Sequence, residues 1–255
     1  FTYWRLLRPK TDVRVSFFPK NASFHEKLEL SFILLRYIVN IRFVHSGKPV
    51  FELKIMAGFN ECTRVQVPAA LHLCRLGYTY FAECGEETPV GRLDKNNNVL
   101  TDEFLKALVR LNPEQKLHDL QIFAKFVLSK LGSDDLGREF YQVLSSNSGI
   151  KLIDFENPEN NSWLVTTELP CENQETGDSF RPDITCFVNG LPLAFIEVKK
   201  PNNAEGIVAE QSRTNQKRLP NKSFRRFLNI TQLMIFSNNQ EYDNANRVPV
   251  QGAFY

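Results

Sequence analysis

Histidine, methionine and tryptophan are scarce in this 255-residue chain, with four, two and two copies. The four histidines, His25, His45, His72 and His118, lie far apart, and no HExxH or other metal spacing joins them. The five cysteines are odd in number and scattered, with no CxxC or Cys/His pattern. That pattern excludes a zinc site of the usual spacing and reads as reduced thiols of a cytosolic protein. Long apolar runs are missing as well. Arg36, Asn40 and Arg42 interrupt the stretch from Phe32 to Val44, so it cannot span a membrane. The chain does not open with a basic region followed by an apolar segment, as a signal peptide would. There is no GxSxG nucleophile elbow and no GxxxxGK[ST] phosphate loop. An excess of one charge is lacking too, since 31 basic residues face 29 acidic ones. Overall charge therefore argues neither for nor against nucleic acid, and local clustering must decide.

Local clustering is uneven. Residues 1–55 hold ten Lys/Arg against four Asp/Glu, whereas the remaining 200 hold 21 against 25. The same 55 residues carry seven Phe, one Gly, no Cys and no clean period. Lys27–Val44 suits an apolar helix and a strand pair equally. A coherent pattern begins after Met56, which makes two readings even: an irregular extension packed on the domain, or an appended segment ahead of a native start at Met56.

From Asn60 the spacing predicts a helix, capped by Asn60 or Thr63, with Val65, Ala69, Leu73 and Leu76 on one face and Gly77 as its stop. Pro68 is expected near its first turn. Tyr78–Phe81 suits a short strand, and residues 84–100 read as a loop. Three helices follow, over Thr101–Leu111 (capped by Thr101 or Asp102), Pro113–Leu131 and Ser133–Leu144, an insertion or a cover for a sheet at about 101–145. Trp163–Leu169 reads as a strand and 170–180 as an acidic loop. Asn202–Lys217 reads as a helix capped near Asn202 or Asn203. LMIFS at 233–237 has a buried-strand pattern, Asn238–Asn246 is a polar turn, and Gly252 begins a last strand. The order is helix, helical insertion, three strands, helix, strand: an α/β fold with a mixed central sheet flanked by helices.

The most informative stretch is RPDITCFVNGLPLAFIEVKKP, residues 181–201. Asn189-Gly190 between two apolar runs is the strongest short-range hairpin signal. Glu197 and Lys199 are two residues apart on the second strand, so both point to one face, roughly 6–7 Å apart. Asp183 opens the first strand. Two carboxylates and an ammonium at one hairpin end suit a divalent metal beside a phosphate: hard oxygens bind Mg²⁺, with the Val198 carbonyl as a further ligand. The plain alternative is a surface salt bridge between Glu197 and Lys199. It is weakened because Leu193–Ile196 is apolar on both faces, as in a central strand.

The order αβββαβ, with RPD on one strand and IEVKK on the next, resembles the PD-(D/E)XK nuclease superfamily. More narrowly, FNECTRVQVPAALHLCRLGY, RPDITCFVNGLPLAFIEVKKPNN, FRRFLNITQLMIFSNNQEYD and PVQGAFY are similar to the N-terminal nuclease domain of the restriction (R) subunit of type I restriction-modification enzymes. The similarity covers about Phe59 to Tyr255 and leaves out residues 1–55. It implies a restriction-endonuclease-like domain over 56–255, truncated before a motor. Asp183 and Glu197 are implied as metal ligands and Lys199 as the catalytic lysine. Glu61 is similar to the extra acid many of these nucleases place near the metal; it equally suits an acid favoured by a helix start. The family's Gln-x-x-x-Tyr pair is met by Gln211 alone, since Asn215 stands where Tyr is expected.

The resemblance further implies Mg²⁺-dependent cleavage of double-stranded DNA, with methyltransferase (M) and specificity (S) subunits as partners. ATP would serve only motor domains beyond this fragment. Lys200, Arg213, Lys217, Arg218, Arg225 and Arg226, with Gln211, form a basic cluster suited to the DNA backbone, or a solvated helix face. Phe224 and Phe227 read as core. Two rivals are another PD-(D/E)XK enzyme of the repair or junction-resolving kind and a docking module without catalysis.

Overall fold

The structure, a computed structural model, describes residues 60–82, 87–146, 149–172 and 177–239 and, nearer the N-terminus, two small hairpins. The hairpins pair Leu6–Arg8 with Thr11–Val13 and Asn40–Phe43 with Pro49–Glu52. The second gives the end of the Lys27–Val44 stretch an extended backbone. Met56, Cys84, the polar turn beyond Asn239 and the expected strand at Gly252 lie outside the described residues.

A five-stranded sheet organises the chain. Its strands are β1 (Thr79–Tyr80), β2 (Trp163–Thr167), β3 (Ile184–Val188), β4 (Leu191–Val198) and β5 (Leu233–Ser237), side by side in sequence order. β1 runs parallel to β2 and β4 parallel to β5, while β2–β3 and β3–β4 are antiparallel, so the sheet is mixed. The fold is α/β, with helices flanking this sheet as the sequence pattern implies.

Both faces of the central strands are covered, which is why their sequences are apolar throughout. On one face Ile184, Cys186, Ile196 and Val198 pack with Val65, Ala69, Tyr80 and Val165 beneath the first helix, α1 (Val67–Arg75). On the other, Phe187 and Phe195 join Phe180, Phe224, Phe227 and Leu228. Phe195 touches Phe180, Phe227 and Phe236 with ring centroids 5.7–6.5 Å apart. Phe224 and Phe227 are therefore core residues. Alternation places Asp183, Glu197 and Lys199 on this second, phenylalanine-rich face.

The first helix departs from its expected form. Asn60 is the cap, its Oδ1 accepting from the Thr63 N–H at 2.9 Å. The helical path runs from Glu61 into α1, and Pro68 stands in the first turn of α1, as expected. Pro has no N–H, and its ring crowds the carbonyl four residues back. The chain widens there into a π-turn over Cys62–Gln66, with the Val67 N–H reaching the Cys62 carbonyl.

Residues 87–100 are not all loop. Glu87–Thr88, Gly91–Asp94 and Val99–Leu100 form a small three-stranded ribbon, held by buried Leu93, Val99 and Leu100. The three helices follow as α2 (Thr101–Leu111), α3 (Leu117–Lys130) and α4 (Arg138–Ser145). Neither Thr101 nor Asp102 caps α2; the Asp102 carboxylate accepts from the Arg92 N–H instead. Phe104, Leu108, Leu120, Val127 and Phe140 pack around Val188, Leu191 and Leu193. The helical layer thus closes on the turn end of the β3–β4 hairpin. At that turn Asn189 and Gly190 have φ of 51° and 79°. A Cβ on Gly190 would lie 2.6 Å from the Leu100 carbonyl oxygen. Only glycine fits both the backbone and the space.

Helix α5 (Ala204–Arg213) is capped by Asn203, which accepts from the Gly206 N–H at 2.9 Å, and runs into a second π-turn, Thr214–Arg218. Helix α6 (Arg225–Ile230) leads to β5, an edge strand among the described residues, whose Leu233 is 55% exposed, so LMIFS is only partly buried. No helix among the described residues is long and apolar enough to cross a membrane.

Candidate active site

With the helical layer on the turn end, the hairpin's open end is left for charged groups. The register sets Ile184 against Ile196, which places Asp183 directly opposite Glu197 on the same face. The Val198 N–H donates to Asp183 Oδ2 at 2.7 Å, closing the strand end. Gln66 braces the same corner from α1's leading turn. Its Nε2 donates to the Asp183 carbonyl at 2.8 Å and to Glu168 Oε1 at 3.0 Å. Sequence reasoning gave Gln66 no role; a polar residue on the apolar face of that helix was its only signal.

Glu197 is buried, 4% exposed, while Asp183 is half-buried. Burial and then the Asp183 charge push Glu197 up to about 8, against the pull of Arg218. Burial likewise pushes Asp183 up to about 6; the Val198 N–H and Lys199 oppose this, and Glu168 and Glu61 add to it. Glu61 thus stands within electrostatic range of Asp183, at the start of the first helix. Two desolvated acids side by side form a site whose charge a bound cation would relieve. Among the described residues no group of three or more His, Cys, Asp or Glu is arranged to hold a metal. Two carboxylates with the Val198 carbonyl would suit an ion that keeps most of its waters, as Mg²⁺ does.

Lys199 leaves β4 with its N–H on the Ser237 carbonyl at 2.8 Å. Its Nζ donates to the Val198 carbonyl at 2.8 Å and lies 3.4 Å from Glu210 Oε2. Arg218, expected among the DNA-facing residues, turns inward. Its side chain is 14% exposed; it lies 3.1 Å from Glu197 Oε1 and 2.7 Å from Glu210 Oε1, and stacks 4.0 Å over the Phe180 ring. Glu210, Thr214 and Arg218 stand four residues apart, so one stripe of the α5 path faces the strand end. That polar i, i+4, i+8 spacing was the available sequence signal for Glu210.

The remaining cluster members divide. Lys200, Gln211, Arg213 and Lys217 are exposed, with Arg213 and Lys217 one turn apart on the helical path. Arg225 pairs with Asp134 at 2.9 Å, and Arg226 donates to Asn97 Oδ1 at 2.9 Å. These two tie α6 to the helical layer and the ribbon. Burial holds Cys62, in the first π-turn, up at about 11, so it stays a thiol. None of the four described cysteines, Cys62, Cys74, Cys171 and Cys186, is in a disulfide.

Comparison with known proteins converges on one family. The family model for the type I restriction enzyme R protein N terminus matches residues 58–244. A Methanocaldococcus jannaschii protein named as type I restriction enzyme MjaIXP endonuclease subunit is 30% identical over 169 residues, 59% of this chain and 16% of that protein. The type I restriction enzyme HindI endonuclease subunit of Haemophilus influenzae is 27% identical over 150 residues, 49% of this chain and 14% of its own length. The matched region is thus about a sixth or less of these much longer relatives.

Proposed function

This chain belongs to the type I restriction enzyme R protein N-terminus family, and on that premise we propose that it is the DNA-cutting domain of such an R subunit. One observation carries the reading: Asp183 and Glu197 face each other across β3–β4, with Lys199 following on the same strand end. The family relatives named as endonuclease subunits support it.

Asp183 and Glu197, with the Val198 carbonyl, would hold Mg²⁺. Bound there, the ion supplies Lewis-acid polarisation of a phosphoryl oxygen and a more acidic water. Lys199 donates to the non-bridging oxygens as charge grows on them. The water oxygen bonds to phosphorus and gives up a proton to solvent, one phosphorus–oxygen ester bond breaks, and the departing oxygen leaves as a hydroxyl after taking a proton from solvent. Arg213, Lys217 and Lys200 supply exposed positive charge beside this end for the DNA backbone. Sequence choice belongs to a specificity subunit acting with methyltransferase subunits, and an ATP-driven motor in the same longer polypeptide brings DNA to the site.

A divalent cation soaked into crystals of the chain tests the site directly. The reading expects density between Asp183 and Glu197 with oxygens at roughly 2.0–2.1 Å, as Mg²⁺ prefers. No cation there at saturating Mg²⁺ or Mn²⁺ would count against it.

A further inference from the structure

We propose that Glu210 is a positioning residue for Lys199, fixing that amine beside the two catalytic acids before DNA arrives. The inference rests on the nuclease reading above. Glu210 lies on α5, outside the hairpin, yet its side chain is 2% exposed. Its two oxygens have separate duties. Oε2 lies 3.4 Å from Lys199 Nζ and accepts from Arg213 at 3.0 Å. Oε1 lies 2.7 Å from Arg218, which also lies 3.1 Å from Glu197 Oε1. One buried carboxylate therefore links Lys199 directly, and Glu197 through Arg218.

A buried ion pair is a poor general stabiliser, because desolvation offsets the attraction; its best-attested use is to fix geometry. Lysine needs that help, since its flexible stem carries a point charge that otherwise samples many rotamers. The Val198 carbonyl at 2.8 Å supplies one anchor and Glu210 the other. Gln211, one residue later on the helix, faces solvent and cannot serve. Glutamine at position 210 would fill the same space but would offer only one acceptor oxygen. Its NH₂ would then meet cationic donors on one side.

The test measures single-turnover DNA cleavage by the assembled restriction complex carrying wild type, Glu210→Gln, Lys199→Ala or both changes. Glu210→Gln should slow cleavage at least tenfold with KM for DNA within threefold. Added to Lys199→Ala, it should cost no more than a further twofold, because its effect runs through the lysine. Carbon-13 relaxation of lysine-labelled, metal-free 255-residue chain gives a readout without catalysis. The Lys199 Cε should gain mobility in Glu210→Gln, and Glu210→Asp should restore part of both order and rate. If melting shows that Glu210→Gln does not fold, Glu210→Asp carries the same cycle. Additive losses in the double variant, or an equally ordered Lys199 in Glu210→Gln, would overturn the proposal. Should Asp183→Ala and Lys199→Ala cut like wild type, the nuclease reading itself fails. Should they be inactive while Glu210→Gln cuts normally, only the role of Glu210 fails.

Discussion

Replacing Asp183 by Asn should end DNA cutting and yet make the metal-free protein more stable at alkaline pH. The reasoning is electrostatic. Asp183 is held up at about 6 against an ordinary 3.8, chiefly because burial penalises its charge. The native state therefore binds this proton more tightly than the unfolded chain. Stability falls as pH rises from about 4 through about 6, and the penalty is fully present above that. A shift of about two units corresponds to an upper limit of about 3 kcal/mol. The introduced asparagine would keep the hydrogen bond, since its Oδ1 can accept from the Val198 N–H that Asp183 accepts now. It would also relieve Glu197, whose second cause of elevation is the Asp183 charge. Urea denaturation in EDTA at pH 8 should show Asp183→Asn more stable than wild type by up to about 3 kcal/mol, with the gap closing toward pH 4. Mg²⁺ should then stabilise wild type and not the variant. The reasoning is refuted if the variant is less stable at pH 8, or if the gap does not change with pH.

Three further outcomes follow from the packing and the surface. Gly190→Ala should destabilise by about 3 kcal/mol, combining a positive-φ backbone with a collision against the Leu100 carbonyl, measured by urea denaturation. Phe195→Ala should cost about 3–5 kcal/mol in the same assay, because the fully buried ring sits among Phe180, Phe227 and Phe236. Lys217→Ala should weaken DNA binding by the complex and flatten its salt dependence by about one unit of log–log slope, whereas Arg225→Ala should leave that slope unchanged, because its charge is paired with Asp134.

The hairpin and its acids were legible in the sequence because two strong local signals coincide there. Asn189-Gly190 supplies the two positive φ angles that a tight turn needs, and alternation then fixes which side chains share a face. Helices α2 to α4 were legible from their apolar spacing. The ribbon at 87–100 was missed because two- and four-residue strands carry too few alternations to register. The first π-turn was hidden because apolar spacing after Asn60 does not distinguish a π-turn from an α-turn. Glu210 and Arg218 were obscured for a different reason. Their contacts join the end of β4 to α5, and a charged stripe on a helix reads as solvated until the fold shows what it faces. Leu233 shows the converse, since an apolar run at 233–237 has a buried pattern, yet the sheet order places it at the edge of the described strands.

The most direct test is DNA cutting by the assembled restriction complex containing wild-type or Asp183→Ala chain, at saturating Mg²⁺ and ATP, with ATP consumption followed in the same tube. The account predicts that the variant complex consumes ATP at the wild-type rate and leaves the DNA intact. Cutting at an undiminished rate by Asp183→Ala would contradict it and move the reaction away from the open end of the β3–β4 hairpin.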